Sequence, residues 1–337
     1  MKVGELGEFG LVELIAKTIA VSRDAKAKSW QNLIAGIGDD AAAWRSRNTV
    51  QLATVDALVE NVHFSFDYTS WNDLGWKALA VNLSDIAAMG GVPEYALVSL
   101  ALPPETEVDD VLDFYRGMLE LAGRYGVAII GGDTDSTPWI SVTVTVLGTA
   151  EDKDRLLVRA AAKPGDLIAV TGYPGTAAAG YAMLSKKLQL DDESSLILKQ
   201  AFLRPSPRIT EGQLLLKNGI KTAIDISDGL IVDLRHICRA SRVGARVAVA
   251  KVPLSQAVSK NFGAKAPEMA LSGGEDYELL FTGRPAVIEK VRRLAGCPVT
   301  VIGEIIAENT GDVTVVDING KPLQMENGGW EHFIDRE

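Results

Sequence analysis

Cysteine is scarce in this chain, with only Cys238 and Cys297 among 337 residues. Two distant thiols build no disulfide framework and suit a reducing compartment, the cytoplasm. Both lie among apolar residues and read as buried structural thiols. Histidine is scarce too: His63, His236 and His332 show no paired spacing, which argues against a His-rich zinc site. No GxxxxGK(S/T) stretch occurs, so no P-loop cradles phosphate, and no GxSxG elbow presents a serine nucleophile. Long apolar runs are missing. The most apolar window, 82–102, is interrupted by Asp85, Pro93 and Glu94 and falls short of the roughly 20 apolar residues of a membrane span. The first residues lack a basic stretch followed by an apolar one, so no secretion signal is expected. Basic residues are outnumbered, 34 against 44 acidic, and the net charge of −10 with no basic patch disfavours a nucleic-acid partner.

What the chain has instead is acid beside small residues. The motifs are Gly38-Asp39-Asp40, Thr54-Val55-Asp56, Asn82-Leu83-Ser84-Asp85, Gly131-Gly132-Asp133, Asp225-Ile226-Ser227-Asp228-Gly229 and Gly273-Gly274-Glu275-Asp276. Any one alone fits a solvated turn. Most follow an apolar run directly, which predicts carboxylates converging at strand ends on one rim. Carboxylates whose small neighbours let a ligand come close are what Mg²⁺ and its bound phosphates require. The pattern points to magnesium-dependent phosphoryl transfer. The glycine-rich Gly172 to Thr176 has no lysine at a useful offset and reads as a plain strand-to-helix turn. His236 reads as structural. So does His63 taken alone, although it lies seven residues after Asp56 at the edge of the acidic motifs.

The length suits two domains, and the charged run Glu151 to Arg155 places their boundary near 150, giving 1–150 and 151–337. Apolar spacings of three and four predict a helix over 8–21, followed by a polar, mobile connection over 22–32. A strand over 50–55 is expected to end at Asp56. Helices are expected over 71–89 and 108–125, the latter stopped by Gly126 and carrying Tyr115 as core residue or ligand contact. Residues 140–148 alternate as a half-buried strand. Strands at 167–170, 245–249 and 278–281, with a strand and helix around Asp225 to Leu230, make the second half another α/β domain.

Taken in order, GIGDDAA, ATVDALVENVHF, KALAVNLSDIAAMGG, IIGGDT, AKPGD, LRPSPR, DISDGL and LSGGEDYELLFT closely resemble the thiamine-monophosphate kinase family. The resemblance covers nearly the whole chain. It implies phosphate transfer from ATP to thiamine monophosphate, giving thiamine diphosphate and ADP. It also implies an α/β (α+β), two-domain fold like aminoimidazole ribonucleotide synthetase, whose first domain forms a barrel with its twin in a homodimer. By motif, the implied magnesium ligands are Asp40, Thr54, Val55, Asp56, Asp85, Asp133, Asp225 and Asp228, with Asp39 supporting Asp40. Tyr115, Gly132, Asp133, Arg159 and Ser227 match ATP contacts, and His63, Glu275 and Trp330 match contacts to thiamine phosphate.

Four positions depart from the family. Val55 stands where Thr or Ser is usual, so a metal contact there must come from the backbone or be absent; Asn61 replaces a usual Gly; Asp135-Ser136 replace a usual Thr-Arg. The expected nucleophile is a phosphate oxygen with a second pKa near about 6, so no general base is required. Direct in-line transfer without a phospho-enzyme is expected. Two alternatives remain at this point: a sister enzyme with another small substrate, and a binding protein that has lost catalysis. A selenophosphate synthetase carries a reactive cysteine near its N-terminus, whereas here none precedes Cys238.

Overall fold

In the computed structural model, which describes residues 2–23, 27–35, 43–44, 50–152 and 155–323, the N-terminal apolar spacing forms α1 (Val3–Ser22). The helix starts five residues earlier than the pattern over 8–21 predicts and buries Leu11, Ile15 and Ile19. The polar stretch after it is not a bare connection. It holds α2 (Lys28–Asn32), whose Ser29 and Trp30 are buried. The Ser29 hydroxyl donates to the Gly126 carbonyl at 2.6 Å, and the Arg23 guanidinium lies 5.1 Å from the Trp30 ring centroid. One indole with this much apolar surface outweighs its polar neighbours in deciding whether the segment docks.

Next come β1 (Leu33–Ala35) and β2 (Ala43–Trp44), an antiparallel pair, and then β3 (Val50–Val59). The first unit is completed by α3 (Trp71–Ala88), β4 (Val92–Leu102), α4 (Val108–Tyr125), β5 (Ala128–Ser136) and β6 (Ser141–Ala150). Gly126 ends α4 in the left-handed conformation, φ 70°, which costs glycine little because it has no Cβ. Four strands form a sheet in the order β3-β6-β4-β5, with β4 and β5 parallel and the other pairs antiparallel. The parallel pair is reached through α4, the crossover that such pairing demands. Val142, Val144 and Val146 of β6 are buried, while Ser141, Thr143 and Thr145 alternate to the more open face.

The second unit, Asp154–Glu337 together with Ala87–Gly91, has its own core. Its elements are β7 (Leu167–Thr171), α5 (Thr176–Ser185), α6 (Asp192–Leu203), α7 (Ile209–Lys217), β8 (Thr222–Asp225), α8 (Leu230–Ser241) and β9 (Gly244–Ala248), then α9 (Gln256–Phe262), α10 (Ala266–Ser272), β10 (Leu279–Gly283), α11 (Pro285–Leu294), β11 (Val299–Ile306) and β12 (Val313–Val316). The six strands run in the order β12-β9-β11-β7-β10-β8, antiparallel except for β12 with β9. Leu230, Leu234, Ile237 and Cys238 of α8 pack with Ile168, Val170, Ile224 and Leu280 of the strands. Cys238 is fully buried as expected, but Cys297 is only partly so. Burial pushes each thiol up to about 11. Among the described residues no helix is long and apolar enough to cross a membrane.

Candidate active site

Thr54 and Asp56 lie two residues apart on β3 and register with Val146 and Val144 of β6, so both belong to the helix-covered face. There the Thr54 hydroxyl donates to a carboxylate oxygen of Asp85, on α3, at 2.5 Å. Val55 alternates to the opposite face and is 59% exposed. Its side chain therefore points away from Asp85, leaving only its backbone for a metal. The strand does not stop at Asp56 as expected from the sequence. Pairing with β6 continues to Val59, opposite Ser141, and this ladder decides where the strand ends.

Beyond β3 the chain reverses over 60–64, with Asn61 at φ 62° and its N–H bonded to the Phe64 carbonyl at 2.8 Å. Asparagine replaces glycine there at modest cost, since it tolerates the left-handed region better than most residues. The turn brings His63 back so that the Val59 N–H donates to its Nδ1 at 3.0 Å. A ring nitrogen that accepts from the backbone carries no hydrogen, which puts the imidazole hydrogen on Nε2.

Gly132 and Asp133 lie within β5, at the far edge of the same sheet from Asp56. Two strands intervene, so Asp56 and Asp133 stand about 14 Å apart at the usual interstrand spacing. A Cβ on Gly132 would lie 1.8 Å from the Val98 carbonyl oxygen, so close pairing with β4 requires glycine. Asp133 is exposed and accepts a bond from the Thr134 N–H at 3.0 Å. Tyr115 packs edge-on against Phe114 within α4 and is 5% exposed; burial holds its phenol well above the usual range. Little of it remains for a ligand. The carboxylates thus share no rim of strand ends: Asp56 and Asp133 are inside strands, Asp85 is in a helix, and Asp225 ends a strand.

In the second unit β8 ends at Asp225, and a tight loop through Ser227, Asp228 and Gly229 leads into α8. A second loop, 273–278, is zipped to it. Glu275 N–H donates to the Ser227 carbonyl, Tyr277 N–H to the Ile226 carbonyl, and Ile226 N–H to the Glu278 carbonyl, all at 2.8–2.9 Å. Glu275 and Tyr277 both adopt positive φ, 66° and 51°, a strained state for side-chain-bearing residues that persists only where the surroundings enforce it. Arg208 supplies part of that enforcement through a bidentate pair with buried Glu278, at 2.6 and 2.5 Å, joined by the Thr171 hydroxyl at 2.5 Å. Asp276 accepts from the Gly175 and Ala177 N–H groups at the start of α5, and burial pushes its carboxyl up to about 8. A carboxylate of the chain itself fills this helix start, consistent with reading 172–176 as a plain turn.

Arg159 is exposed on a short 3₁₀ turn that α8 anchors: the Ser241 hydroxyl donates to the Arg159 carbonyl at 2.7 Å and accepts from Ala162 N–H at 3.0 Å. Two residues in this region escape the motif reading. Asp233 is buried and accepts three backbone N–H bonds, and His236 lies beside it; ligand atoms of Asp228, Asp233 and His236 all fall within 4.8 Å of one another. Burial, then the neighbouring Asp225 and Asp228, push Asp233 up to about 8. Burial and the Arg159 charge lower His236. The signal available in sequence was the i, i+3 spacing of Asp233 and His236, which shares one helix face.

Thr54, Asp56, Asp85 and Asp133 in the first unit, and Asp225 and Asp228 in the second, offer oxygen donors alone. Each group by itself fits Mg²⁺, which prefers hard oxygen ligands and a few carboxylates beside phosphate. Asp39, Asp40 and Trp330 lie outside the described residues.

Two family models match the chain: the N-terminal domain of AIR synthase related proteins over residues 38–150 and the C-terminal domain over 163–316. The thiamine-monophosphate kinase of Escherichia coli (strain K12) is 40% identical over 338 residues, covering 97% of this chain and 98% of that protein. Among solved structures, the thiamine-monophosphate kinase from Stenotrophomonas maltophilia K279a aligns with a TM-score of 0.81 at 35% identity, over 94% of this chain and 98% of that one. AaThiL complexed with AMPPCP and TMP aligns with a TM-score of 0.75 at 34% identity, over 99% of both.

Proposed function

The chain belongs to the thiamine-monophosphate kinase family and phosphorylates thiamine monophosphate with ATP; we propose that it does so by direct in-line transfer, as a homodimer, in the cytoplasm. The observation that carries the reading is near-complete coverage by such kinases, joined to an oxygen-only set of acidic residues and no activated serine or histidine nucleophile. An oxygen of the thiamine monophosphate phosphate attacks the γ-phosphorus, the bond from that phosphorus to the bridging oxygen breaks, and ADP leaves. That nucleophile is already largely deprotonated at neutral pH, so no side chain need take a proton. When bound, Mg²⁺ would be held by Thr54, Asp56, Asp85 and Asp133 of the first unit, with Asp40 and the Val55 backbone, and by Asp225 and Asp228 of the second, and at each place would supply positive charge to reactants that are both anions.

The chain's own residues position the reactants. Arg159 is a permanent cation suited to phosphate oxygens. Ser227 and the glycine backbone at 132 lie close to ATP, and Tyr115 contributes its small exposed edge. His63, with hydrogen on Nε2, donates to the phosphate of thiamine monophosphate. Glu275 and Trp330 hold its cationic rings, stacking on the indole being worth about 0.5–2 kcal/mol.

The dimer is supported by the first unit's sheet. β3 and β5 are its two edges, and open edges invite pairing with another chain. Asp56 and Asp133 sit on those opposite edges, so one chain alone keeps them apart. A second copy pairing along β3 or β5 would cover these edges. Light scattering of the eluting protein should give twice the chain mass, and a monomer that retains full activity would refute this arrangement. Cytoplasmic placement follows from the use of ATP and from two unpaired thiols.

Incubation with ATP, Mg²⁺ and thiamine monophosphate should yield ADP and thiamine diphosphate in equal amounts. ADP without thiamine diphosphate would mean another acceptor. Radiolabelled protein recovered after incubation with γ-labelled ATP alone would overturn the direct transfer.

A further inference from the structure

The loop that carries Ser227 and Asp228 runs from the end of β8 at Asp225 directly into α8. Three successive backbone N–H groups, those of Ser227, Asp228 and Gly229, converge on one point, and together they form a concave nest of the kind that binds anions. In this protein the anion is internal. One carboxylate oxygen of Asp233, Oδ2, accepts from all three, at 3.2, 3.2 and 3.1 Å. Asp233 is itself in the first turn of α8, only 2% exposed, and its own N–H bonds to the Gly229 carbonyl at 3.0 Å. Gly229, at φ 129°, takes a backbone conformation open to glycine alone, and this aims its N–H at the same oxygen.

We propose that Asp233 is a positioning residue for phosphoryl transfer: its carboxylate locks the Ser227–Gly229 backbone so that Asp228 and Ser227 present fixed oxygens to ATP and its cation. The inference rests on the proposed ATP and metal roles of Asp225, Ser227 and Asp228. Bonds from three donors converging on one acceptor fix the loop more tightly than any single bond can. The nest being filled from within, phosphate has no place there and meets the outer side of the loop instead. A direct ligand role for Oδ2 is disfavoured by its three existing bonds.

Asp233→Asn keeps one oxygen acceptor and the shape of the side chain; Asp233→Ala removes both. The first readout needs no ligand: amide hydrogen exchange at 227–229 in the free protein. Loss of these bonds should speed exchange there by about ten- to a hundredfold in Asp233→Ala and less in Asp233→Asn, with other protected amides unchanged. The second is steady-state kinetics. The Mg²⁺ concentration for half-maximal rate and the KM for ATP should rise by about tenfold or more in both variants, while the KM for thiamine monophosphate moves by less than about twofold. If Asp233→Ala does not fold, Asp233→Asn carries both measurements. Unchanged exchange at 227–229 overturns the proposal, and so does an equal rise in both KM values. Asp228→Asn, run alongside, separates the two levels of the argument. If it leaves the Mg²⁺ dependence as in the wild type, the metal reading of the loop fails; if it raises that dependence while the Asp233 variants do not, only the positioning role fails.

Discussion

Gly132 shows what a single methyl group would do at a strand contact. With only 1.8 Å between the place a Cβ would take and the Val98 carbonyl oxygen, Gly132→Ala must part β5 from β4. Overpacking of this kind costs about 1–3 kcal/mol, and a urea titration should show the midpoint lowered to match. Arg208 poses the opposite problem. Its removal leaves Glu278 as a buried, uncompensated charge, so Arg208→Ala should cost about 3–5 kcal/mol, whereas the paired change Arg208→Met with Glu278→Leu should recover most of that loss. Equal destabilisation by the single and double variants would show that packing, not charge, sets the cost. At this scale the acidic motifs and His63 can be picked out of the sequence by residue type alone. Asp233 cannot, since its partners are backbone N–H groups, which leave no mark in a sequence. Tyr115 reads as core or contact from its helical stripe, and burial favours the core.

Helices with a full apolar stripe are legible nearly to the residue, as α4 with its Gly126 stop demonstrates. Ends set by neighbours are not. β3 outruns Asp56 because β6 keeps offering hydrogen bonds, and α2 forms because Trp30 finds a buried site. The start of α5 belongs to the same class: its N–H groups are satisfied by Asp276, about a hundred residues along the chain. Burial of that carboxyl, against the lowering by its N–H partners, predicts a pH effect. A carboxyl raised to about 8 in the folded state, from about 3.9 unfolded, contributes stability that is complete below about 3.9 and is lost as pH rises through about 8. Denaturation midpoints should therefore fall between about pH 5 and 8, and Asp276→Asn, which does not ionise, should flatten that decline. A variant profile parallel to the wild type would assign the slope to other groups.

For the molecule as a whole, the net charge of −10 includes the carboxylates assigned to metal. A cation and a nucleotide that bind only the folded state should stabilise it. ATP with Mg²⁺ at about a hundred times its Kd should add about 2.7 kcal/mol, seen as a raised Tm, and a chelator should abolish the rise. An equal rise with ATP and chelator would remove metal from the account. The four residues 275–278 carry a different consequence. Each is tied to a different partner: Ser227, the start of α5, Ile226, and Arg208 with Thr171. No single substitution frees such a loop, so in the descent of new acceptor preferences its path is a fixed inheritance. A change of side chain at 275 leaves the backbone path tied at 276, 277 and 278.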